Sequence, residues 1–161
     1  MASDLLRIYL QDHRAGATAG RELAARTLGS SRGTEFEQPL AKLLSEIEDD
    51  MRTLDEVMAR LEIGHDRLKK VAFWAGEKVG RLKLNGRLLS YSPLSRVVEL
   101  ESLMLGITAK GSMWIALEDV AVAEPRLAGF DFAGLVGRAE RQRSEVDALR
   151  RRAAELAFGE K

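Results

Sequence analysis

Residues 92–122 read SPLSRVVELESLMLGITAKGSMWIALEDVAV, and the architecture follows from them. Their apolar side chains fall on almost every side of a helical wheel. A helix of that kind is buried rather than laid on a surface, so the other helices must pack around it. Ser92 suits the N-cap, and Pro93 suits the first helical position, where its missing N–H removes no hydrogen bond. On this wheel Arg96, Glu99 and Lys110 share one narrow strip, which reads as the solvent side. Glu101 falls opposite, in line with Leu94, Val97, Leu105, Thr108 and Ile115. At roughly 100° per residue Glu101 is therefore expected to point into the core. A carboxylate there requires a partner: a metal, an arginine or a protonated neighbour.

Working towards the C-terminus, Pro125 and Gly129 mark a loop, and Asp131 can cap a last helix from Phe132 to about Phe158. Its apolar stripe is Phe132, Leu135, Val136, Ala139, Val146, Leu149, Ala153 and Ala157. Arg143 falls inside that stripe and Arg150 close to it.

Towards the N-terminus, the segment from His65 to Arg96 is basic, with 8 Lys and Arg against Asp66 and Glu77. A helix is expected from Asp66 to about Leu82. Around Asn85-Gly86 a helix break is preferred over a hairpin, because neither flank carries β-branched residues. Helix two, from a Thr34–Glu37 capping box to about Ile63, has the strongest periodicity of the chain: Phe36, Leu40, Leu43, Leu44, Ile47, Met51, Leu54, Met58, Leu61. Gly64 reads as its stop. Its other side is acidic, and Asp50 alone among those acids falls at the edge of the apolar stripe, with Glu46 further round. Helix one is expected from about Asp4 to Leu28, with Ser3 as cap. Asp12 and His13 interrupt its apolar face, and Gly16 and Gly20 lie on that same face, allowing close helix approach or leaving room beside the polar pair.

Composition narrows the function classes. The 161 residues suffice for one domain with a core, residues 1–161. The 25 basic and 25 acidic residues cancel, so no global field favours nucleic acid or anionic lipid. There is no cysteine, which excludes disulfides, thiolate metal sites and a cysteine nucleophile. No apolar run reaches the roughly 18 residues of a membrane span. The N-terminus lacks a signal-peptide pattern, so a cytoplasmic protein is expected. No nucleophile elbow or phosphate-binding glycine loop is present.

Two long helices, a long crossover holding an extra helix, and two more long helices resemble the ferritin-like superfamily, an all-α four-helix bundle. That resemblance implies a di-metal site with an acid on helices one and three and E-x-x-H on helices two and four. Asp12 and Glu101 match the two lone acids. Glu46-Ile47-Glu48-Asp49 has aspartate for histidine, and Glu140 is followed by Arg143 instead of histidine.

The candidate metal residues are thus Asp12, His13, Glu46, Asp50 and Glu101. Arg143 offers a metal-free solution, because a guanidinium binds carboxylates bidentately and stays charged. The preferred expectation is a core ion pair of Arg143 with Glu101, Asp50 or Asp12 in place of the metal. The protein is then non-enzymatic and without cofactor, with a structural or protein-interaction role as a homo-oligomer, a dimer being the expected form. The alternative is a di-iron or di-manganese carboxylate oxidoreductase. A third reading is anion binding by Lys69, Lys70, Lys78, Arg81, Lys83 and Arg87, but these are not interleaved with aromatics, so nucleic acid is not expected.

Overall fold

A computed structural model describes residues 3–64 and 91–159. All regular structure in the described residues is helical. It comprises α1 (Asp4–Gly29), α2 (Glu37–Arg60), α3 (Pro93–Ala121) and α4 (Phe132–Phe158), with one 3-10 turn at Pro125–Leu127. The helix expected from Asp66, the break at Asn85-Gly86 and the cations from Lys69 to Arg87 lie outside the described residues. Among the described residues no helix is long and apolar enough to cross a membrane.

Most helix ends follow local chemistry. The Ser3 hydroxyl accepts from Leu6 N–H at 3.2 Å and starts α1. Ser92 and Ser95 form a reciprocal capping box ahead of α3, with Pro93 in the first turn. The Asp131 carboxylate accepts from Gly134 N–H at 2.9 Å and starts α4. The box expected at Thr34–Glu37 does not form. Phe36 is the N-cap of α2 without a side-chain bond, and the Glu37 carboxylate instead reaches back to Gly33 N–H at 2.7 Å. Helix α2 also stops before Gly64. Glu62 takes the left-handed turn at φ 59°, and Ile63 N–H closes onto the Met58 carbonyl at 2.9 Å.

The helices pack as a bundle of two hairpins, α1 with α2 and α3 with α4. Arg26, near the end of α1, bonds Glu99, near the start of α3, at 3.1 Å. Glu35, just ahead of α2, pairs with Arg152, near the end of α4, at 3.1 Å. Helix α1 is therefore antiparallel to α3, and α2 to α4. It follows that α2 and α3 are parallel. Ile63 and Ser92 accordingly lie at opposite ends: Ile63 packs with Leu10, Trp114 and Leu127, whereas Arg96, one turn into α3, reaches the Ser30 carbonyl at the other end at 3.2 Å.

The core divides into two apolar clusters. One gathers Leu23, Phe36, Leu40, Val97, Leu100 and Val146. The other gathers Leu10, Leu54, Met58, Trp114, Leu117 and Phe132. Between them lies a polar layer.

Helix α3 is rotated relative to the sequence expectation. Leu94, Leu105 and Ile115 are exposed, and the Glu101 side chain is 53% exposed. The strip of Arg96, Glu99 and Lys110 faces α1 and α2 instead. The reason is the sequence itself. A helix apolar on every side has no unique inward face, so its apolar pattern cannot orient it. What orients it is where those charges find partners.

Candidate functional site

The polar layer is built from three helices. Asp50 on α2 is 3% exposed, and its two oxygens are both engaged. Lys110 Nζ on α3 lies 2.5 Å from Asp50 Oδ2, and Arg138 Nη1 on α4 donates to Asp50 Oδ1 at 2.9 Å. Lys110 also donates to Gln142 Oε1 at 2.5 Å. The amide of the buried Gln142 in turn donates to Glu46 Oε2 at 2.9 Å. Each member has a partner, as a buried polar network requires. Burial pushes the Lys110 ammonium below its ordinary pKa, with the Asp50 charge and hydrogen bond opposing that shift.

Beside this layer a cavity of about 380 Å³ opens between α1 and α3. Gly16, Gly106 and Ala109, all exposed, belong to its rim. Its inner wall includes Ile47, Leu54, Leu103, Met113 and Trp114, with Asp50 and Lys110 at the polar end. Asp12 and His13 line it from α1. Burial lowers the His13 pKa, with Asp12 pulling it the other way. The His13 ring meets the Tyr9 ring edge-on at 4.4 Å.

The five residues expected as metal ligands do not form one donor set. Asp12, His13 and Asp50 share the cavity wall. Glu46 points into the network and bonds Gln142. Glu101 is corrected from core to surface, where its nearest described cation is Arg150 at 4.0 Å. Among the described residues no three Asp, Glu or His side chains converge. The chemistry of Asp50 also argues against a metal, because each of its oxygens already faces a fixed cation whose charge would repel a metal ion. The residues present therefore do not fit the di-metal centre that the ferritin-like resemblance implies.

The expected core ion pair is corrected in its cation. Arg143 is exposed and does not approach Asp50, which pairs with Lys110 and Arg138. On α4 the buried positions run Leu135, Ala139, Gln142, Val146, so Gln142 fills the place that the sequence reading assigned to Arg143. Both lie between Ala139 and Val146, and spacing alone does not separate them. Lys110, Arg138, Gln142 and Trp114 are the site residues that the sequence reading missed. The available signal was Lys110, the one cation within the long apolar run from Leu100 to Leu117.

No protein-family model, curated protein or solved structure matches the chain.

Proposed function

We propose that the chain is a ferritin-like four-helix bundle that acts by binding rather than by redox catalysis, its core carboxylate closed by its own cations. The topology supports the architecture: parallel α2 and α3 need a connection that returns the length of the bundle, as in a bundle with one long crossover. One observation carries the function. Asp50, the most buried carboxylate of the layer, has Lys110 on one oxygen and Arg138 on the other. A fixed ammonium and guanidinium supply the positive charge that a metal would otherwise bring, and they offer no redox chemistry. The exposed Leu94, Leu105 and Ile115 on α3 support self-association as a homodimer within the same reading.

The test is elemental analysis of the purified protein before and after anaerobic incubation with ferrous iron or manganese. The expected result is no stoichiometric metal. Near-stoichiometric metal that disappears in Asp50→Asn would overturn the proposal in favour of a di-metal oxidoreductase. Sedimentation velocity reads the oligomer separately, and a monomer at all concentrations would remove the dimer from the reading.

A further inference from the structure

Gly16 and Gly20 on α1 and Gly106 on α3 sit in helix interiors, where glycine weakens a helix relative to alanine. Close packing does not demand them. A Cβ built at any of the three meets nothing within 4 Å, and none of the three has a positive φ. All three line the same cavity. Its volume of about 380 Å³ is more than twice the roughly 150 Å³ that accepts benzene in an engineered core. Ile47, Leu54, Leu103, Ile107, Met113 and Trp114, all buried, give it an apolar inner wall. Gly16 and Gly106 lie at the exposed rim, so bare backbone flanks the way in.

The charges set the polarity of the occupant by cancelling. Two acids and two cations make up the layer beside the cleft: Asp50 with Lys110 and Arg138, and Glu46, tied in through Gln142. Lys42 does not alter that balance, since it pairs with Glu145 at 2.8 Å and stands 3.9 Å from Glu46. Of the four, Asp50 and Lys110 reach the cleft wall, one charge of each sign. Asp12 lies at the mouth and is exposed, where water weakens its field. Burial holds His13 below its ordinary pKa, and so neutral at pH 7. A buried cation would face Lys110 and a buried anion Asp50, and either would give up its hydration. An uncharged apolar molecule gives up no such hydration and gains contact with the buried wall.

We infer that the cleft between α1 and α3 binds an uncharged, predominantly apolar small molecule of about ten non-hydrogen atoms. This deepens the binding role proposed above and rests on its metal-free layer, which metal content tests without any ligand.

The experiment is calorimetric titration of the full chain at pH 7 with 1-octanol, octanoate and octylamine, which share a chain length and differ in charge. 1-Octanol is expected to bind once per chain, and the two ions at least about tenfold more weakly. In amide correlation spectra the Gly16, Gly20 and Gly106 resonances are expected to shift with 1-octanol, which places the molecule in this cleft. Gly106→Leu and Gly16→Leu fill the rim from its two sides. Each is expected to weaken 1-octanol binding at least about tenfold while the far-UV circular dichroism spectrum is retained. Should either variant fail to fold, the headgroup series and the glycine shifts decide the matter. The inference is overturned if octanoate or octylamine matches 1-octanol, if the three glycine resonances stay still, or if a folded leucine variant binds 1-octanol as the parent does. It is equally overturned if none of the three binds, as when residues 65–90 or a second copy already fills the cleft.

Discussion

Lys110 Nζ lies 2.5 Å from Asp50 Oδ2, joining α3 to α2 across the core with side chains only 16% and 3% exposed. Arg138 completes the arrangement from α4. Taking such charges out of water is expensive, and only their mutual attraction and hydrogen bonds offset that expense. The pair is therefore more consequential when broken than when replaced as a whole.

Removing only the negative member, in Asp50→Asn, leaves a buried ammonium without its counter-charge. The expected loss is about 3–5 kcal/mol, read from urea unfolding. The double variant Asp50→Leu/Lys110→Met is expected to recover most of it. Additive losses in Asp50→Leu, Lys110→Met and that double would show that the two side chains do not interact.

Glu101 and Arg143 make the opposite case. Both are exposed, so Glu101→Gln and Arg143→Ala should each leave stability within about 0.5 kcal/mol of the parent. A loss of several kcal/mol in either would place that side chain back in the core.

Gly16→Ala and Gly20→Ala should each stabilise the fold, by up to about 1 kcal/mol, because the added methyl relieves the helix penalty and meets no neighbour. A rise in the urea midpoint at unchanged slope is the readout. Destabilisation would mean that α1 approaches another element more closely than the open space at these positions indicates.

Acid should act on the turn between α3 and α4. Hydrogen bonds from the Arg126 side chain and backbone lower the Glu124 carboxyl to about 2 from an ordinary 4.5. Arg126 itself also sees Glu62, at 3.8 Å. A carboxyl whose folded pKa is depressed binds fewer protons in the folded state than in the unfolded one. Its contribution is present above about pH 4.5 and fades as pH falls towards about 2. Thermal unfolding between pH 5 and 2 should therefore fall less steeply for Glu124→Gln than for the parent. Identical slopes would remove Glu124 from the acid response.

All four helices were legible because their residues carry their own punctuation or period. Ser3, Ser92-Pro93 and Asp131 mark starts that form as expected, and the period of α2 correctly buries Leu40, Leu43, Ile47 and Leu54. Asp50 was legible as a buried acid because α2 is clearly amphipathic. Its partners were not. Lys110 sits on a helix without a polar face, and Arg138 and Gln142 flank a stripe whose edge is ambiguous by one position. Their placement depends on long-range pairing, which is absent from local periodicity. The start of α2 was misread for a related reason. Thr34 and Glu37 have the spacing of a capping box, but the Gly33 turn offers Glu37 a different N–H.

The polar layer between the two apolar clusters has one more consequence, for uniqueness of the native state. Apolar side chains tolerate a slip of one helical turn, about 5.4 Å, because leucine against leucine is nearly the same contact after sliding. Helix α3 is especially permissive, being apolar all round. A charge-assisted bond is not permissive: sliding α3 by one turn would strand Lys110 in hydrocarbon and leave Asp50 and Gln142 short of a donor. The layer thus acts as an axial register pin, trading some stability for a single alignment of four otherwise slippery helices.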